Sequence, residues 1–161
     1  VMPHQAEDIW QNTPEMQRGG LESILLADWV KFNKEWDNAQ LEEDFTKILK
    51  TREVVTRAIE PLRAEKKVGS SLEVAVYVKS DDSEILKANA KDLADIFITS
   101  QAYVADEAPC EVLNEYTENG ITVWVTKAEG EKCERCWKFR KLGEHAGHET
   151  ICSDCYDAVT E

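Results

Sequence analysis

Four of the five cysteines in this 161-residue chain lie between Glu131 and Asp157, in two C-x-x-C pairs, Cys133/Cys136 and Cys152/Cys155, with fifteen residues between them. That spacing matches a four-thiolate zinc site. A pair on a tight turn can aim both sulfurs at one ion about 2.3 Å away, and the intervening loop need only bring one turn over the other. Protein fills all four positions, so the expected ion is structural and activates no water. A disulfide frame does not suit a leaderless, cytosol-like chain. A thioredoxin-type pair would want one C-x-x-C on a βαβ unit. An iron–sulfur cluster could use four thiolates, but the symmetric pairing suits a zinc ribbon or knuckle better. His145 and His148 lie between the pairs and could substitute as ligands, although four cysteines already complete the set. Cys110, remote from the cluster, is expected to be an ordinary half-buried thiol.

The first pair carries the run "ERCWKFRK", which places Arg135, Trp137, Lys138, Phe139, Arg140 and Lys141 within seven positions. Basic residues interleaved with aromatics suit a single-stranded nucleic acid, cations meeting phosphate and ring faces stacking on bases. The same aromatics could instead cover the metal turn and give a minimal module its core. The residues leave both readings open, and one ring could pack inward while the other stays available.

Three kinds of element must hold this cluster. Residues 3–37 mix a short helical start, Ala6 to Gln11, with the turn-rich "NTPEMQRGG" and the apolar "SILLADW". From Gln40 the apolar residues Leu41, Phe45, Ile48, Val55, Ile59 and Leu62 recur at steps of four and three, predicting a long amphipathic helix. Asn38 suits its N-cap, and Pro61 should kink it or end its regular part near Glu60. Arg52 occupies the stripe where a leucine would be expected, and reads as a snorkelling or a paired side chain. The period then becomes two: Leu72, Val74, Val76 and Val78 point one way and Glu73, Ala75 and Tyr77 the other, a half-buried strand. "SEILKANAKDLADI" reads as helix and "IFITSQAYV" as strand. Two strand-like runs flank Asn119-Gly120, the dipeptide of a type I′ hairpin. The fold class is α+β: a helical N-terminal segment, a long helix, a small mixed sheet and a C-terminal four-cysteine knuckle. The expected divisions are 1–67, 68–128 and 129–161.

Net charge is −13, which by itself opposes a polyanion partner. Lys50 to Lys67 and Lys127 to Lys141 run the other way, each with six basic against three acidic residues. Any nucleic acid would have to be met there. No basic stripe is long enough to track a duplex, so duplex DNA is not expected. No apolar run approaches the roughly 20 residues of a membrane span, and the expected setting is cytoplasmic. The opening "VMPHQAEDIW" reads as the middle of a longer protein.

The order "MPHQAEDIW", then "TREVVTRAIEPLRAEKKVGSSLEVAV", then "GEKCERCWKFRKLG…ICSDCYDAV" closely resembles the C-terminal part of bacterial isoleucyl-tRNA synthetases, of class I. The resemblance covers essentially the whole chain, and "LRAEKKVGSSLEV" and "CERCW" are its most specific passages. It implies the tail of an anticodon-binding helical domain, a junction unit and a zinc module that reaches the anticodon loop. Cys133, Cys136, Cys152 and Cys155 match the family's zinc ligands. Arg135 and Trp137 match knuckle positions that face tRNA, while Lys138, Phe139 and Arg140 are carried as candidates. The implied partners are isoleucine tRNA and the rest of the synthetase. ATP belongs to a catalytic domain whose K-M-S-K-S signature is absent from this sequence; "HAGH", at His145 to His148, falls in the metal loop and reads as coincidence. The segment is expected to bind without catalysing. A different class of reading is a zinc-ribbon protein–protein module whose acidic sheet is the working surface.

Overall fold

A computed structural model describes residues 2–160. The chain divides into two compact units, Val1–Asn38 and Ala39–Glu161. In the first, helix α1 spans Pro3–Asn12 and helix α2 spans Glu15–Arg18, followed by single 3₁₀ turns at Ile24–Leu26 and Lys34–Trp36. Pro3 opens α1, where its fixed φ is already helical and its missing N–H costs nothing. The Glu7 carboxylate staples α1 to the first 3₁₀ turn by accepting from Ser23 Oγ at 2.7 Å and Ile24 N–H at 3.1 Å.

The second unit begins with helix α3, Ala39–Ala64. Pro61 lies inside it, and the helix does not end at Glu60. The proline falls in the last turn, where only one ladder bond is forfeited and the Pro61 carbonyl still accepts from Glu65 N–H at 3.0 Å. The buried stripe is Ile48, Thr51, Val54, Val55, Ala58, Ile59 and Leu62. Leu41 and Phe45, expected on that stripe, are exposed. Arg52 is half-buried and has no ion pair among the described residues.

Strands β1 (Val74–Lys79), β2 (Gln101–Val104), β3 (Asn114–Glu118) and β4 (Ile121–Lys127) form one sheet in the order β2-β1-β4-β3. β1 runs parallel to β2 and antiparallel to β4, so the sheet is mixed. A parallel neighbour needs a crossover, here made by helices α4 (Ser83–Ala88) and α5 (Leu93–Ile96). The sequence pattern predicted one helix across this stretch. It breaks at Asn89, whose side chain turns back to donate to the Ile85 carbonyl at 2.8 Å. β2 also starts later than the apolar run suggests, because Ile98 takes a left-handed φ of 57° and turns the chain. The β3–β4 hairpin closes at Asn119 and Gly120, with φ of 52° and 78°, as the type I′ turn requires. α3 packs on one sheet face, where Ile48, Val55, Ile59 and Leu62 meet Val74, Val76, Val78, Val123 and Val125. No helix among the described residues is long and apolar enough to cross a membrane.

Candidate metal centre and nucleic-acid interface

Past β4 the chain forms a two-stranded ladder, β5 (Glu131–Lys132) with β6 (Phe139–Arg140), and the first cysteine pair occupies the knuckle between them. Cys133 N–H donates to the Lys138 carbonyl and Trp137 N–H to the Cys133 carbonyl, both at 2.9 Å. The second pair does not sit on a matching turn. Cys152 immediately precedes helix α6, Ser153–Thr160, and Cys155 lies in its first turn. The Cys152 carbonyl accepts from Cys155 N–H at 3.0 Å and Tyr156 N–H at 2.9 Å. A short helix start places two side chains three residues apart on one side, as a knuckle does.

The four Sγ atoms lie within 4.8 Å of one another, and all are free thiols. Cys133 to Cys155 and Cys136 to Cys152 are each 3.8 Å apart. A regular tetrahedron with sulfurs about 2.3 Å from its centre has edges of about 3.8 Å. The donor set therefore fits one four-coordinate metal ion, compatible with zinc. Burial opposes ionisation of Cys133, but the backbone N–H groups of Cys136, Cys152 and Arg135 outweigh it and hold the thiol at about 6. Burial pushes Cys136 up to about 12, and raises Cys152 as well. Four thiols this close cannot all ionise without a cation among them. The Arg135 guanidinium supplies part of that charge from outside, donating to Cys155 Sγ at 3.6 Å.

Leu142 and Ile151 form the apolar cover of the sulfurs. Neither signalled this in sequence, since each is a lone apolar residue in a polar loop. His145 and His148 lie instead around Tyr156. The His145 ring stacks on it at 3.8 Å and His148 meets it edge-on at 5.3 Å.

The five candidate contact residues take different positions. Trp137 is 61% exposed, with Lys132 Nζ 5.3 Å from its ring centroid. Phe139 is half-buried in β6. Lys138 is paired with Asp95 of α5. Arg140 Nη2 approaches Asp154 at 3.8 Å. Arg135 faces the sulfurs. Cys110, expected to be half-buried, is exposed in the loop before β3. Two residues that sequence reading missed hold the knuckle to the sheet. Gln101 Nε2 donates to the carbonyls of Phe139 at 2.7 Å and Glu129 at 3.0 Å, and Gln101 Oε1 accepts from Glu129 N–H at 3.2 Å. Ser100 is the other. Small polar residues at a strand start carry no motif, so only the fold exposes their role.

Residues 1–78 match the family model described as the anticodon-binding domain of tRNA ligase. The chain as a whole is similar to isoleucine–tRNA ligases. It is 37% identical over 166 residues to that of Syntrophomonas wolfei, and 35% over 167 residues to that of Moorella thermoacetica, in both cases across 100% of this chain and 18% of the relative. The chloroplastic/mitochondrial ligase of Arabidopsis thaliana is 34% identical over 183 residues, 99% of this chain and 17% of the relative. The class is thus set by the anticodon-binding match. More particularly, the chain is similar over its whole length to one segment of isoleucine–tRNA ligases, spanning less than a fifth of the length of these relatives.

Proposed function

We propose that this chain is the part of an isoleucine–tRNA ligase that holds the anticodon end of isoleucine tRNA. It binds without catalysing. Attachment of isoleucine, with ATP, belongs to the remainder of the ligase, which is the chain's second partner, in the cytoplasm. One zinc ion held by Cys133, Cys136, Cys152 and Cys155 fixes the shape of the reading surface. Residues 1–67 act as the end of the anticodon-binding helical region, 68–128 as a junction and 129–161 as the zinc module.

The observation that carries this reading is Trp137. It is a large aromatic, 61% exposed, on a knuckle whose backbone is set by the metal turn. An exposed indole beside a lysine offers a base a stacking face and a phosphate a counter-charge. Among the other candidates Arg140 keeps spare donors, whereas Lys138 and Phe139 are half-buried in the knuckle and the exposed Arg135 is bonded to Cys155 Sγ. The net charge of −13 favours the protein-adaptor alternative, and salt separates the two. A tRNA contact should make log affinity fall linearly with log salt. The test is binding of the zinc-loaded chain to isoleucine tRNA and a non-cognate tRNA at two salt concentrations, with Trp137→Ala alongside. Cognate-selective, salt-sensitive binding that this substitution weakens is the expected result. A folded, metal-loaded chain with no tRNA binding would favour the adaptor.

A further inference from the structure

Between the edge strand β2 and the knuckle lies an open cleft of about 570 Å³, within the size range of small-ligand sites, about 300–1,000 Å³. Tyr103 forms one side, 43% exposed. Its ring is backed by Tyr77 on the neighbouring strand, centroids 4.9 Å apart and planes 31° from parallel. Tyr77 in turn sits opposite Trp124 in register. Three aromatics in a row across a sheet make a stiff support, with Tyr103 as its accessible end.

Arg140 and Lys141 line the same cleft. Arg140 is incompletely used: its Nε is buried without a partner among the described residues, and its ion pair to Asp154 spans 3.8 Å. Lys141 is 82% exposed and paired with Glu144 at 2.8 Å, a surface pair that solvent screening makes easy to exchange. Gly130 fixes the place of Arg140. At a φ of 94°, it brings the chain so close that a Cβ there would lie 2.5 Å from the Arg140 carbonyl oxygen. Glu129 and Glu131 also line the cleft, Glu131 directly across the β5–β6 ladder from Arg140. Those carboxylates repel a second phosphate but can accept from the amino edge of a base.

We propose that this cleft is a second RNA subsite, taking one unpaired nucleotide with its base on Tyr103 and its phosphate between Arg140 and Lys141. It lies on the same knuckle as Trp137, three residues further along the chain, so one single strand can reach both rings. The inference rests on the tRNA-binding reading above. It adds Tyr103, which no sequence motif singled out, and gives Lys141 of the "ERCWKFRK" run a place beside it.

The experiment compares Tyr103→Leu, Tyr103→Phe and Arg140→Gln with the unaltered zinc-loaded chain, titrated with isoleucine tRNA at two salt concentrations. Circular dichroism and zinc content serve as controls on folding. Tyr103→Leu should weaken binding roughly tenfold, the loss expected when one stacked ring is removed. Tyr103→Phe should stay within about twofold, since the ring face remains. Arg140→Gln should weaken binding and lower the slope of log affinity against log salt by about one. Should Tyr103→Leu fail to fold, the Arg140→Gln slope decides. Wild-type affinity in Tyr103→Leu, while Trp137→Ala still weakens binding, would overturn the subsite and leave the tRNA reading intact. Equal losses in Leu and Phe would overturn the stacking role. No binding by the unaltered chain would overturn both readings.

Discussion

Ser100 and Phe139 are joined through one hydroxyl. Ser100 Oγ accepts the backbone N–H of Phe139 at 2.6 Å and donates to the Leu72 carbonyl at 2.5 Å. Ser100 is fully buried, and its own N–H donates to the Val74 carbonyl at 3.2 Å. One small side chain thus ties the knuckle to the sheet at this point, beside the Gln101 bonds to Phe139 and Glu129. Ser100→Ala leaves a part-buried N–H and a carbonyl without this partner and should cost about 1–3 kcal/mol. Urea unfolding followed by circular dichroism reads this directly, and an unchanged midpoint would mean that water replaces the hydroxyl.

Removing the metal should act on the knuckle more than on the sheet. The core of α3, β1 and β4 is packed by aliphatic side chains that owe nothing to the sulfurs, whereas the knuckle core is the four cysteines with Leu142 and Ile151. A chelator should therefore raise amide exchange across residues 131–160 while Val76 and Val123 stay protected. Acidification should release the metal in the same way, because thiolates must take up protons as they let go. Uniform loss of protection throughout Ala39–Thr160 would show that the two cores fold as one.

Trp137 sits at a φ of 65°. A side chain there strains the backbone by about 1–2 kcal/mol, which glycine escapes. With its ring mostly in solvent, the tryptophan regains little of that by packing. Trp137→Gly should then raise the stability of the zinc-loaded chain by up to about 1 kcal/mol while abolishing its part in tRNA binding. A stabilised but weakly binding variant would mark strain kept for function. A destabilised one would show that the indole packs after all.

In the N-terminal unit, Glu7 is held below the usual carboxylate range by hydrogen bonds from Gln11 and Ser23, with Ile24 N–H adding to them. A carboxyl whose folded value is depressed stabilises the fold above its unfolded value, and that contribution is lost as pH falls through the folded one. The α1 staple should therefore loosen below about pH 4. Glu7→Gln should remove this acid dependence, measured by the pH profile of amide exchange at Ile24. An identical profile in both proteins would mean that the staple does not depend on the charge.

Features with a fixed residue spacing were readable from the chain. Two C-x-x-C pairs and Asn119-Gly120 each specify a local geometry, and the sulfur cluster and the hairpin stand where those residues put them. The long helix was readable for the same reason, through its period. What escaped was decided by contacts distant in sequence. Helix α6 has only eight residues and opens immediately after Cys152, so its pattern reads as a turn. Leu41 and Phe45 obey the helical period yet stay exposed. The roles of Ser100, Gln101 and Tyr103 exist only because a parallel crossover lays β2 against the knuckle.

The strand order leaves β3 at the far edge of the sheet, its outer main-chain groups open to pairing. That strand reads Asn-Glu-Tyr-Thr-Glu, with Glu115 exposed and Glu118 half-buried. Two copies meeting edge to edge would bring these carboxylates together, and like charges across a strand pair repel. Two of the eleven acidic residues of 68–128 can thus be understood as a guard against self-association. It keeps an unpaired strand from recruiting its own kind, while the other edge, β2, is tied to the knuckle through Gln101.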